Sequence, residues 1–181
     1  IADASTKPII LYNVPSRTGC NIEPATYAEL AKHPMIQAIK EASGNIDKIV
    51  ETMALCGDKL DLYSGNDDQI VPLMSLGGKG VISVLANVAP KETHLMTQKL
   101  LEGNFQEGAK MQLEALELVD ALFCETNPIP VKTALSWMGK CTGTLRLPLV
   151  PIGYAGALRL ESAMHKLGLL PPDVSPAADL R

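Results

Sequence analysis

Aromatic side chains are scarce in this sequence: four Tyr, two Phe and one Trp make up 4% of 181 residues. So few rings supply base-stacking functions poorly. An excess of positive charge is also lacking, since 16 Lys and Arg stand against 20 Asp and Glu, for a formal net charge of -4. Nucleic acid and anionic membranes therefore find no electrostatic footprint here. The four cysteines, Cys20, Cys56, Cys124 and Cys141, stand alone without paired Cys or Cys/His spacing. That argues against a zinc cluster or a thioredoxin-type pair and points to plain thiols in a reducing cytoplasm. No uninterrupted apolar run reaches the roughly 18 residues of a membrane span, and the start shows no basic-then-apolar signal pattern. An initiator Met is lacking too, and the opening IADASTK reads as a fragment of something longer.

What is present is ordinary globular composition, 46% hydrophobic and 20% charged, at a length that allows one core or a domain plus an appendage. Short β-rich runs, PIILYNV (8 to 14), IQAIKEA (36 to 42), LDLYSG (60 to 65) and GVISVL (80 to 85), predict four strands. Between them PATYAELAKH, NIDKIVETMALC and DDQIVPLMSL predict helices, with Pro24 in a first turn, Asn45 as a cap and Pro72 as a distortion. PKETHLMTQKLLEG predicts a fourth helix ending at Gly103. Strand and helix in alternation predict an α/β fold with a parallel sheet and right-handed crossovers. Four such units make either an open sheet or half of an eight-stranded barrel, which takes about 250 residues.

After Gly103 the pattern is helical throughout, over 104 to 124, 130 to 139 and 155 to 168. In the first of these, Leu113, Leu116, Val119, Ala121 and Phe123 read as an amphipathic packing stripe. Residues 171 to 181, PPDVSPAADLR, have the composition of a loose tail.

Parallel α/β folds carry their chemistry at the carboxyl ends of the strands. Lys40 sits at such an end, and strand alternation places it with Ile36 and Ala38 on one face. An amine held there is drawn out of water, which favours its neutral form, able to attack a keto group and form a Schiff base. The alternative is a structural lysine paired with Glu41 or another carboxylate at a strand end. Tyr12 ends the neighbouring strand with a phenol able to shuttle a proton. Arg17, in a Pro- and Gly-flanked loop, offers a planar fork for a carboxylate. Gly65 lets backbone approach a ligand closely. The GGKG segment (77 to 80) precedes a strand and lacks a following Ser or Thr, so it is no phosphate loop. His33, His94 and His165 read as surface positions, and Asn66, Asp67 and Asp68 as a helix cap.

Six blocks together, YNVPSRTG (12 to 19), IKEASG (39 to 44), LYSGND (62 to 67), GGKGVISVLANVAP (77 to 90), NPIPVK (127 to 132) and LRLPL (145 to 149), resemble the dihydrodipicolinate synthases in order and spacing. The resemblance extends to about Leu170. It implies the C-terminal half of a (β/α)8 TIM barrel over 1 to 103, a helical C-terminal domain over 104 to 170, and a tail from 171. It further implies a class I aldolase-type lyase that condenses pyruvate with aspartate 4-semialdehyde on the route to diaminopimelate and lysine. Under it Lys40 is the Schiff-base lysine and Tyr12 the proton-relay tyrosine; Arg17 holds the semialdehyde carboxylate, and Gly65 and Ile82 line the pyruvate site. No metal or organic cofactor is implied, and the full-length protein would be a cytoplasmic homotetramer or dimer. By the family pattern Ile1 falls between the fourth and fifth barrel strands, which leaves outside these residues a threonine pair that continues the relay and a tyrosine lent by a neighbouring subunit. The isolated segment is then expected to be inactive. Two other readings stay open: a sugar-acid aldolase such as N-acetylneuraminate lyase, which shares the tyrosine and lysine, and a truncated interaction module with open strand edges.

Overall fold

Four short strands, β1 (Ile9–Asn13), β2 (Ile36–Glu41), β3 (Asp61–Ser64) and β4 (Gly80–Val81), pair in parallel in sequence order in the computed structural model, which describes residues 1–180. The helices are α1 (Pro15–Thr18), α2 (Pro24–Leu30), α3 (Ile46–Cys56), α4 (Ile70–Ser75), α5 (Leu85–Val88), α6 (Pro90–Leu101), α7 (Phe105–Leu122), α8 (Ile129–Trp137) and α9 (Tyr154–Lys166). The chain divides into two units, Ile1–Ser83 with Thr97–Ala109, and Val84–Met96 with the chain from Lys110 onward. No helix among the described residues is long and apolar enough to cross a membrane.

In the first unit the helices cover one face of the sheet. Tyr27 of α2 and Cys56 of α3 close over Ile36 and Ile39, and Ile49 of α3 and Leu73 of α4 close over Leu62. Each fully buried aliphatic side chain of this kind contributes about 1.5–3 kcal/mol. The predicted cap is present, with the Asn45 side chain accepting from the Lys48 amide at 3.1 Å, and Ile49, Thr52 and Cys56 follow it at helical spacing toward the sheet. The other face is open: Ile10 is 49% and Tyr12 46% exposed.

Three local expectations are corrected here. Ile36 does not share a face with Ala38 and Lys40, because the β1/β2 register slips between Ile9 and Ile10 and turns Ile36 into the helix-side cluster with Ile39. The run read as a strand over 80 to 85 is a strand only at Gly80–Val81, after which Leu85 and Val88 are buried at helical spacing in α5. A short apolar run fits either period. The helix read over 67 to 76 divides into a 3-10 turn, Asp67–Gln69, and α4, and Asp67 is buried rather than displayed on a solvated cap. Proline at position 72 cannot donate to a turn behind it.

In the second unit α5 packs on α8 and α8 on α9. α7 buries Ala115, Leu118, Val119, Ala121 and Leu122, whereas Leu113 is 70% exposed and Leu116 and Phe123 are also exposed. The expected stripe thus mixed two faces of one helix: at 100° per residue, 115, 118 and 122 form a narrow sector from which 113, 116 and 123 are turned away. The described part of the tail is tied to α9 rather than loose. Ser175 Oγ donates to Glu161 of α9 at 2.8 Å, the Ala177 amide donates to the same carboxylate at 2.7 Å, and Ala177 is buried.

Cys56 is buried and donates to the Thr52 carbonyl, while Cys20 and Cys141 are exposed. Burial pushes the thiols of Cys56 and Cys124 above their ordinary range, and the thiolate is the reacting form. Alkylation of the native chain at neutral pH is therefore expected to modify Cys20 and Cys141 first, with Cys56 reacting only on unfolding. Peptide mapping by mass spectrometry checks this, and equal early labelling of Cys56 would contradict it.

Candidate active site

Parallel pairing lines up the ends of the strands. Tyr12 is in register with Lys40 and Lys40 with Tyr63, and one residue later Asn13, Glu41 and Ser64 are in register. Because side chains alternate along a strand, the first row faces the open side of the sheet and the second faces the helices. The row on the open side brings together the two residues expected to act as a pair: Lys40 Nζ lies over the Tyr12 ring, 4.2 Å from its centroid. An ammonium within about 6 Å of a ring face is held there by the ring quadrupole.

Gly65 follows β3, and its amide donates to the Glu41 carbonyl at 2.7 Å. A Cβ at this position would stand 2.8 Å from Ala42 Cβ and 3.1 Å from Lys40 Cε. The requirement for glycine is thus one of space, because Ala42 Cβ, and behind it the Glu41 carbonyl and the Lys40 stem, occupy the volume a side chain would need. Ile82, just past β4, is exposed, and its amide donates to the Ser64 carbonyl at 2.8 Å. Arg17 lies on α1, a single turn that composition read as a loop, opened by Pro15 and closed by Gly19 at φ 67°. That left-handed value suits glycine. Arg17 itself is exposed and is not joined to Tyr12 or Lys40 by any hydrogen bond or ion pair among the described residues.

Glu41 is not the partner of Lys40. It points to the opposite face, where its carboxylate accepts from the Ser43 amide (2.7 Å), the Tyr27 hydroxyl (3.0 Å) and Asn13 Nδ2 (3.2 Å to each oxygen). Asn13 in turn donates to Asn21 Oδ1 at 2.9 Å and accepts from the Ile22 amide at 3.1 Å. Asn13, Tyr27 and Glu41 are each at most 4% exposed. Burial first, and then the charge of Glu41, push the Tyr27 phenol well above its ordinary range, so it remains a donor. This cluster escaped the sequence reading, although strand parity alone puts residue 41 on the side opposite residue 40.

His33 lies in the turn after α2, with Nε2 3.0 Å from Asp3 and Nδ1 accepting from the Met35 amide. A polar depression lined by His33, Gln37, Asp58, Lys59 and Asp61 lies at the N-terminal ends of β2 and β3, away from the strand-end residues. Among the described residues no group of three or more His, Cys, Asp or Glu side chains is placed to hold a metal ion.

An amine stacked on a phenol at the carboxyl ends of adjacent parallel strands is equipped for nucleophilic attack with a proton donor at hand. A model of the dihydrodipicolinate synthetase family matches residues 1–167. The chain belongs to that family. It is 56% identical over 165 residues to a 4-hydroxy-tetrahydrodipicolinate synthase of Clostridium novyi, covering 91% of this chain and 56% of the relative. It is 52% identical over 169 residues to that of Caldicellulosiruptor saccharolyticus, covering 93% of this chain and 57% of the relative. Its fold matches the crystal structure of dihydrodipicolinate synthase from Thermotoga maritima with a TM-score of 0.91 at 40% identity, covering 94% of this chain and 59% of that one. The α/β fold and parallel sheet are those of the family's structures. The chain thus spans little more than half the length of these family members.

Proposed function

We propose that this chain carries the covalent centre of a 4-hydroxy-tetrahydrodipicolinate synthase, the lyase that condenses pyruvate with aspartate 4-semialdehyde. The observation that carries the reading is Lys40 Nζ over the Tyr12 ring at the carboxyl ends of β1 and β2. The synthases named among its relatives support it. The four strands then form the C-terminal half of a (β/α)8 barrel over 1 to 103, followed by a helical domain over 104 to 170 and a tail.

The Lys40 amine attacks the pyruvate carbonyl, and loss of water yields a Schiff base. Loss of a methyl proton converts this to an enamine, whose carbon attacks the semialdehyde carbonyl. The substrate amine then displaces Lys40 as the ring closes, restoring the free lysine. Tyr12 relays protons to and from the oxygens and nitrogens that change bonding, a role worth about 10²–10⁴-fold in rate. Gly65 and Ile82 border the pyruvate, with Gly65 leaving room for the Lys40 stem. Arg17 meets the semialdehyde carboxylate as a two-pronged donor. The enzyme is a cytoplasmic homo-oligomer in this reading.

A guanidinium aimed at a second carboxylate favours the semialdehyde over a sugar acid, whose hydroxyls call for other donors and acceptors. In a polypeptide of the relatives' full length, Arg17→Ala is expected to raise KM for the semialdehyde by about 10–100-fold while pyruvate adduct formation is retained. Steady-state kinetics with both substrates checks this. Cleavage of a sialic acid without condensation of the semialdehyde would replace the synthase by the lyase.

A further inference from the structure

The Asn13, Glu41 and Tyr27 cluster lies behind the Tyr12 and Lys40 pair, one residue further along each strand and on the opposite face. Its hydrogen bonds are complete. The Glu41 carboxylate accepts from three donors, Ser43 at one oxygen, Tyr27 at the other and one Asn13 N–H shared between the two, while the second Asn13 N–H goes to Asn21. Every donor is neutral, so the buried charge is held by hydrogen bonds rather than by a cation, an arrangement that fails if one donor is displaced.

These bonds tie four segments to one side chain. Asn13 joins the end of β1 to the end of β2, and Ser43 fixes the turn that leaves β2. Tyr27 attaches α2, and through Asn13 the Ile22 amide closes the loop that carries Arg17. The Glu41 backbone carbonyl also accepts from Gly65, the residue packed on the Lys40 stem.

We propose that Glu41, with Asn13 and Tyr27, is a positioning device that sets the separation of Tyr12 and Lys40. It acts through the strand ends and touches neither the amine nor the substrate. The kinetic part of the proposal rests on the assignment of Lys40 as the Schiff-base lysine. A carboxylate is required because glutamine offers one oxygen and turns an amino group toward a donor. The Ser43 amide cannot become an acceptor, and Asn13 can do so only by turning its Oδ1 away from the Ile22 amide, whereas the Tyr27 hydroxyl can reverse. Glu41→Gln therefore costs at least one contact to Asn13 and lets the strand ends shift, and an error of about 1 Å in a reacting pair costs about 10²-fold in rate.

The test uses a polypeptide of the relatives' full length. In Glu41→Gln, kcat per folded site is expected to fall about 10²-fold while KM for pyruvate stays within about threefold; folded sites are counted separately by circular dichroism, because loss of folded protein alone also lowers apparent kcat at constant KM. The double variant Asn13→Asp with Glu41→Gln, which exchanges amide and carboxylate across the same bond, is expected to recover about tenfold of the loss. Ring-current shielding of the Lys40 ε-methylene by Tyr12, read by NMR, is expected to diminish in Glu41→Gln, and this readout stands whatever reaction Lys40 performs. If Glu41→Gln does not fold, Tyr27→Phe removes one donor without adding a mismatched group, and a kcat loss of about threefold to tenfold is expected. Unchanged kcat per folded site with unchanged shielding would overturn the proposal. Absence of a pyruvate adduct in the unsubstituted enzyme would overturn the function assigned to Lys40 instead.

Discussion

Exposure of the full-length polypeptide to pyruvate and then borohydride is expected to leave a stable group on Lys40 and to abolish activity. The hydride reduces the carbon–nitrogen double bond of the Schiff base to a secondary amine, so a transient link becomes one that peptide mapping can locate. Lys40→Ala is expected to form no adduct at this site and to lose at least about 10⁴-fold in turnover, the scale on which removing a nucleophile acts. The variant should still fold. Lys40 is only half-buried, and the contact it gives up, an amine over the Tyr12 ring, is worth about 0.5–1 kcal/mol at a partly exposed site. A lost adduct in a protein with a near-normal melting transition then reports the missing amine rather than a collapsed sheet. Equal labelling of Lys40→Ala would place the Schiff base on another lysine and remove the central residue of the proposed function.

That Lys40 and Tyr12 could be singled out from sequence follows from where strand chemistry is visible. Both residues end β-rich runs, and parallel strands deliver their last side chains to the same end of the sheet. The register, Tyr12 opposite Lys40, does the rest. Less legible was everything set by which side a residue faces. Glu41 is adjacent to Lys40 in sequence and reads as its ion partner, yet alternation sends it to Tyr27 and Asn13. The register slip at Ile9 moves Ile36 to the helix side, a break in alternation that no residue type announces. Leu113 of α7 and Phe123 just beyond it are as apolar as Leu118 and Leu122, and it is the side of the helix each is turned to that separates the exposed pair from the buried one. Arg17 was legible as a residue type in a turn. In the proposed function its carboxylate partner is a substrate, and its guanidinium has no ion pair among the described residues.

The 181-residue chain by itself is expected to show less than about one hundredth of the turnover of a polypeptide of the relatives' full length. The reason lies in the open face of the sheet. Tyr12 and Ile82, two of the five proposed site residues, are exposed there with Ile10, and the outer edges of β1 and β4 carry no partner strand among the described residues. Water at the site weakens each electrostatic interaction on which a proton relay depends, because charges in bulk water attract about one quarter as strongly as at an effective dielectric of 20. If the proposed relay from Tyr12 runs on through residues outside this chain, its loss forfeits part of the 10²–10⁴-fold that general acid–base catalysis contributes. Adduct formation is less affected, since Lys40 Nζ and the Tyr12 ring meet within one unit. The expected pattern is therefore trapping of pyruvate at Lys40 without appreciable condensation. Unpaired edges also invite strand addition, so size-exclusion chromatography belongs beside the kinetic assay. Self-association relieved by supplying the N-terminal portion of a relative, with turnover rising in parallel, would show that the open face is the barrel interior. A monodisperse monomer that melts cooperatively would argue against obligate edge pairing and against the interaction-module reading. Full turnover by that monomer would show that β1 to β4 suffice for the whole reaction, and the half-barrel reading of the site would fall.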